Sequence, residues 1–172
     1  MIGNIKIIAV CMCKVYDERN YRIIRALNNF AVENDYRLFV YHTCSDLYWK
    51  TLSEKGEQSV FDLIDYNITD AVVTFEEGVY AENVMTKIRM DAAEYGKPVI
   101  SVGVEHDDCI SIKFGYAKGF EQVVRHVIEQ HGVRDIGFIA GRKDEENSEE
   151  RIAVFRKLLE EYDIPFRNDV FY

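Results

Sequence analysis

Proline is nearly missing from this chain, with two in 172 residues, at positions 98 and 165, and no low-complexity tract interrupts it. Long apolar runs are missing too. No stretch approaches the roughly 18 consecutive apolar residues that cross a bilayer. The opening MIGNIKIIAV has no basic segment leading into a cleavable apolar one. A soluble cytoplasmic protein with no membrane contact is therefore expected. Positive charge is in deficit, 21 Lys and Arg against 30 Asp and Glu, for a net charge of -9. Such a surface repels phosphate backbones, so this segment is expected to make no direct contact with nucleic acid.

Motifs that carry chemistry are equally scarce. No Gly-rich phosphate loop follows the first apolar run, which leads into CMCKVYDERN rather than G-x-G-x-x-G. Ser101, Ser111 and Ser148 lack a G-x-S-x-G elbow. His42, His106, His126 and His131 show no metal-ligand spacing. Cys11, Cys13, Cys44 and Cys109 include one C-x-C pair without a second pair to complete a zinc site, and a reducing compartment leaves them as small buried apolar residues. No catalytic residue, no metal ligand and no cofactor is assigned, and an intrinsic enzyme is not expected.

What the chain does contain is alternation. Runs rich in β-branched residues read as buried strands: IKIIAVCM (5 to 12), RLFVYH (37 to 42), AVVTF (71 to 75), PVISVGV (98 to 104), CISIKF (109 to 114) and IGFIAG (136 to 141). Helical stripes separate them. Residues 18 to 34 carry Ile23, Ile24, Leu27, Phe30 and Ala31 on one face, and 80 to 95 carry Ala81, Val84, Met85, Ile88 and Ala92. A helix over 52 to 65 starts at a Thr51/Glu54 capping box. The stretch 116 to 131 presents Phe120, Val123, Val124, Val127 and Ile128, and 148 to 162 presents Ile152, Phe155, Leu158, Leu159 and Tyr162. Gly96 and Gly132 sit where left-handed helix caps belong. Strict alternation predicts an α/β fold: a doubly wound parallel sheet with flanking helices, Rossmann-like, in the order 2-1-3-4. Only EHDD (105 to 108) joins PVISVGV to CISIKF. That is too short for a helical crossover, so the two strands are expected in different sheets, with one lobe over 1 to 107 and a second beginning over 108 to 172.

With these elements placed, HVIEQHGVRDIGFIAG (126 to 141) followed by NSEERIAVF (147 to 155) resembles the ligand-binding domain of the LacI/GalR repressor family, a type I periplasmic-binding-protein-like fold. His126, Gly132, Ile136, Gly141, Arg151 and Phe155 match the family's helix, strand and helix pattern there. IIRALNNFAVENDYRLFVY, TDAVVTF and KPVISVGV match its first lobe. The chain departs from the pattern at Ala26, Ala71, Val154 and Gly115-Tyr116. The resemblance implies a two-lobed sensor holding a small molecule, a sugar, nucleobase or similar, between its lobes, and a homodimer. At roughly 120 to 150 residues per lobe, the chain holds the first lobe and the incomplete start of the second. The first strand begins by Ile5, ahead of which a helix-turn-helix has no room, so the expected output is a C-terminal domain of the diguanylate cyclase (GGDEF) kind or a DNA-binding domain outside this chain.

In an open parallel sheet, ligands sit beyond the carboxyl ends of the strands where strand order reverses. That places the loops 13 to 20, 76 to 80 and 142 to 151 at the crevice. The candidate ligand contacts are Tyr16, Asp17, Arg19, Asn20, Glu76, Asn147 and Arg151. Asp17 also suits an N-cap, as does Asn147 or Ser148, and Arg151 has Asp144, Glu145, Glu146 and Glu149 as structural partners. The competing readings are a truncated interaction or dimerisation module without a ligand, and a doubly wound reductase or flavodoxin-like enzyme, against which the missing phosphate loop counts.

Overall fold

The computed structural model describes residues 5–141 and 145–166. The chain divides into two compact units, Met1–Lys113 and Phe114–Tyr172.

The first unit is a five-stranded parallel sheet in the order β2-β1-β3-β4-β5. Its elements are β1 (Lys6–Cys13), α1 (Glu18–Glu33), β2 (Tyr36–Thr43), α2 (Leu52–Gln58), β3 (Ala71–Phe75), α3 (Glu82–Glu94), β4 (Val99–Val102) and β5 (Ile110–Ile112). The central β1 is sealed on both faces, as its unbroken apolar run requires: Ala9, Val10, Cys11 and Met12 are wholly buried. Ala9, Cys11 and Cys13 point into a core with Phe61, Tyr66, Met85, Ile88 and Ala92. Val10 and Met12 face the other way, by the two-residue period of a strand. Right-handed crossovers put α1 on one side of the sheet and α2 and α3 on the other. Asp70 sets the β1–β3 register: its carboxylate accepts from the Ile7 amide at 2.7 Å, and its own amide donates to the Ile7 carbonyl at 2.8 Å.

The Thr51/Glu54 capping box forms as expected. The helix it starts is shorter than the stripe implied, giving way after Gln58 to a 3-10 turn over Ser59–Leu63. There the Ser59 hydroxyl donates to the Gly56 carbonyl at 2.7 Å, a local bond that competes with continued α-helix. α1 buries Ala31, whereas Phe30, expected on the apolar face, is 62% exposed.

The largest departure concerns CISIKF. Rather than entering a different sheet, β5 pairs parallel to β4 at Ile100↔Ile110, Ser101↔Ser111 and Val102↔Ile112. A crossover of a dozen residues is needed when a full strand and a helix must be carried back. A three-residue strand needs a return of only about 7 Å, within reach of the loop 103 to 109. Gly103 makes the reversal at φ +102°, in contact so close that a Cβ there would lie 2.5 Å from Cβ of Glu77 and 2.9 Å from its backbone nitrogen. The Gly103 amide donates to the Ile112 carbonyl at 2.8 Å, tying the loop's start to the new strand. Residues 110–112 thus stand with the first unit.

The second unit packs α4 (Tyr116–His131) against α5 (Glu146–Glu161) around Val124, Ile128, Phe155, Leu158, Leu159 and Ile164. Phe138 bridges the helices, its ring 5.0 Å from those of both Phe120 and Phe155. α4 ends on Gly132 at φ +64°, the left-handed cap expected of it. IGFIAG does not form the predicted strand; Phe138 makes a lone bridge. The apolar pattern by itself secures neither burial nor a ladder: Ile136 and Phe138 are half-buried and Ile139 is 84% exposed, and a strand's backbone groups are satisfied only by an adjoining strand. α5 opens two residues earlier than predicted, with Glu145 rather than Asn147 or Ser148 as N-cap.

Candidate functional site

The carboxyl ends of the strands in the first unit gather the loops after β1, β2, β3 and β4. Two ion pairs lace them. Lys14, itself at φ +49°, donates its backbone amide to the Thr43 carbonyl at 2.7 Å and reaches Asp46 with its ammonium at 2.7 Å, joining the loops after β1 and β2. The shared hydrogen bond holds the Asp46 carboxyl below its usual range and raises Lys14. Arg19, on the first turn of α1, donates to Glu77 at 2.8 Å and so ties the loop after β1 to that after β3. The loop after β2 is further fixed by Glu57, whose carboxylate accepts from the amides of Cys44 and Ser45 at 2.8 and 2.9 Å.

Beneath these loops lies a buried polar knot. Glu76 and Arg89 are each 7% exposed. The guanidinium donates to both carboxylate oxygens at 2.9 and 3.0 Å. The Thr74 hydroxyl donates at 2.7 Å, and Nε2 of His106 lies 2.9 Å from the second oxygen. A carboxylate offers no proton, so His106 carries hydrogen on Nε2. Nε of Arg89 has no hydrogen-bond partner, its nearest carboxylate being Asp108 at 3.7 Å. Through His106 and Asp108 the knot also pins the loop that leads to β5.

Of the seven candidates, five lie at this edge. Tyr16 is 80% exposed, its ring edge-on to His42 at 5.4 Å, and Asp17 is exposed. Asp17 takes the N-cap position of α1, but its side chain caps nothing and stays available. Asn20 spends its amide hydrogens on the carbonyls of Cys13 and Lys14 at 3.0 and 3.1 Å, closing the β1–α1 turn. Glu76 is not presented to a crevice: its carboxylate is consumed by Thr74, Arg89 and His106, and it holds the edge together from below. The other two candidates stand in the second unit. Asn147 lies in the first turn of α5, where its carbonyl accepts from Nε of Arg151 at 2.9 Å. Arg142, Lys143 and Asp144 of the expected loop lie outside the described residues.

Residues that sequence reasoning passed over complete the edge. In the loop after β2 the rings of Tyr48 and Trp49 meet at 4.7 Å and those of Tyr48 and Tyr80 at 5.2 Å. Trp49 is 76% exposed. The signal was available in DLYWK, adjacent aromatics in a loop following a parallel strand. Cys11 and Cys13, in the last three residues of β1 and buried beneath the edge, are inert: burial pushes the Cys13 thiol up to about 11 and that of Cys11 higher still. Among the described residues no group of three or more side chains is placed to hold a metal ion, and no helix is long and apolar enough to cross a membrane. Two shallow grooves of about 440 and 320 Å³ run along α3, and no candidate lines them.

A parallel five-stranded sheet with flanking helices and loops gathered at its carboxyl edge defines the periplasmic-binding-protein-like fold of LacI-family ligand-binding domains. A LacI family transcriptional regulator from Lactobacillus casei, solved with bound sucrose, superposes with a TM-score of 0.65 at 13% identity over 97% of this chain and 57% of that one. The transcription regulator CcpA of Lactococcus lactis gives 0.70 at 18% identity over 97% and 58%. The lac repressor dimer bound to operator and the anti-inducer ONPF gives 0.65 at 14% over 95% and 47%. The chain thus spans about half of the length of these regulators, and at such identities the likeness is one of fold. No protein-family model and no curated protein matches the chain.

Proposed function

We propose that this chain is the ligand-sensing part of a regulatory protein and that it performs no chemistry of its own. The small molecule, a sugar or a polar ring of similar size, is held at the carboxyl edge of the first unit's sheet. The observation that carries this reading is the contrast at that edge. A scaffold fixed by Lys14–Asp46, Arg19–Glu77 and the buried Glu76–Arg89 pair presents Tyr16, Asp17 and Trp49 outward. Rigid support beneath a few exposed polar and aromatic groups is what a small-ligand site needs. Asn147 and Arg151 enter the proposal as contacts on the resemblance alone. Binding shifts an attached output between two states. That output is a DNA-binding domain, as in the solved regulators, or a diguanylate-cyclase-type domain.

The test is a thermal-shift panel of sucrose, glucose, adenine and amino acids on the full-length protein, with fluorescence read on the 172-residue chain, where Trp49 is the single tryptophan and emission excited at 295 nm reports this edge directly. At least one compound is expected to raise the melting temperature and change Trp49 emission, with both effects lost in Asp17→Ala. A panel that leaves both signals flat removes the sensor reading. A second reading, an interaction module that pairs through its surface, is favoured by the exposed Tyr21, Phe30 and Val32 of α1. Light scattering that finds a monomer at micromolar concentration would exclude it.

A further inference from the structure

His126 and His131 lie five residues apart on α4, a spacing that does not place two side chains on one helical face. The end of the helix brings them together nevertheless. His131 is its last residue, before the chain turns away at Gly132. The two Nε2 atoms approach to 3.1 Å, with ring centroids 4.9 Å apart and ring planes at 76°. Both side chains are exposed.

We propose that this pair is a binding site for a late first-row divalent cation such as Ni²⁺ or Zn²⁺, held by two imidazole nitrogens with water filling the remaining positions. The geometry carries it. Two cis nitrogen ligands at about 2.0–2.1 Å from a metal, with an angle of about 90–110° between them, sit roughly 2.8–3.4 Å apart. The pair here is at 3.1 Å before any ion arrives. Rings aimed straight at each other would place their centroids about 5.4 Å apart at this separation, so the observed 4.9 Å shows that the rings do not meet head-on, as two imidazoles converging on one ion would not. Position adds to geometry. The site is at the carboxyl end of a helix, where the macrodipole favours positive charge. Arg125, adjacent to His126 in sequence, is engaged with Glu121, Glu161 and Tyr162, and the Arg134 guanidinium with the carbonyls of Ile128 and Val133 at 3.0 and 3.1 Å. Imidazole is a ligand type suited to nickel, copper and zinc, whereas magnesium and calcium prefer oxygen. The site is therefore selective by chemistry as well as by bite. Because both rings must be unprotonated to ligate, binding weakens on acidification.

Calorimetric titration of the full chain with NiCl₂ and, separately, ZnCl₂ tests this, beside proton NMR of the four histidine rings during the Ni²⁺ titration. One equivalent is expected to bind, broadening His126 and His131 but not His42 or His106, and His126→Gln and His131→Gln are each expected to weaken it at least tenfold. Both side chains are exposed, so the variants should keep the parent's metal-free melting temperature. Absence of binding at 1 mM metal, a loss smaller than tenfold in either variant, or broadening centred on His42, His106 or a cysteine-dependent site would overturn the proposal.

Discussion

Removing the Glu76 carboxylate is the sharpest test of how the first unit is held together. In Glu76→Ala the Arg89 guanidinium keeps Thr86, at 3.2 Å, as a hydrogen-bond partner, and Asp108 at 3.7 Å is its one remaining carboxylate. A charge that is 7% exposed is then left without its counter-ion. Breaking a buried pair from one side costs about 3–5 kcal/mol, a large part of the roughly 5–15 kcal/mol that stabilises a whole domain. Loss of acceptors for Thr74 and His106 acts in the same direction. The companion Glu76→Leu/Arg89→Met removes both charges and restores apolar volume, so it should be more stable than Glu76→Ala although two residues have changed. Urea unfolding followed by far-UV dichroism measures both. A cost below about 1 kcal/mol for Glu76→Ala, or a double variant as unstable as the sum of its single changes, would refute the claim that this pair is desolvated and coupled.

Gly103→Ala and Gly132→Ala separate steric from conformational cost. Both residues have positive φ, but a Cβ at Gly103 meets Glu77 at 2.5 Å whereas at Gly132 it meets open space. Gly132→Ala should cost about 1 kcal/mol and Gly103→Ala at least about twice that, with the β4–β5 loop losing amide protection in hydrogen exchange. Asp46→Asn should destabilise by no more than about 1 kcal/mol at neutral pH, because the Lys14 pair is partly exposed. Since Lys14 lowers the Asp46 carboxyl, that contribution is complete above the ordinary carboxylate value of about 4 and fades as pH falls through the lowered one, so the stabilities of the two proteins should converge on acidification below that ordinary value. Thiol labelling at pH 8 should modify exposed Cys44 rapidly and Cys11 and Cys13 only on unfolding; fast labelling of Cys13 would contradict its burial.

Much of the architecture was legible because its signals are local. The run 5 to 12 and the stripes at 18 to 34 and 116 to 131 announce themselves within one element, and the observed bounds Lys6–Cys13, Glu18–Glu33 and Tyr116–His131 follow them closely. The capping box at Thr51 and the cap at Gly132 are encoded by residue type at a fixed offset. Legibility failed where an outcome depends on a distant neighbour. CISIKF had to find β4 across a seven-residue loop, and IGFIAG has an apolar pattern but, among the described residues, only the lone bridge at Phe138. The edge shows the same division. Strand order put Tyr16 and Asp17 where they are found, but nothing local to Glu76 reveals that Arg89, thirteen residues on, consumes its charge.

The sequence by itself determined most strands and helices of the first unit, the parallel order of its first four strands, and the edge at which the loops gather, since hydrophobic period and connection length decide all three. Tertiary structure alone decided which polar groups face solvent and which face each other. Glu76 and Arg89 were drawn inward, Trp49 was left outside, and His126 and His131 were brought within 3.1 Å despite a spacing that sets them on different sides of a helix. The physical reason is range: periodicity acts over a few residues, whereas pairing a charge or a ring requires knowing what the rest of the chain has placed beside it.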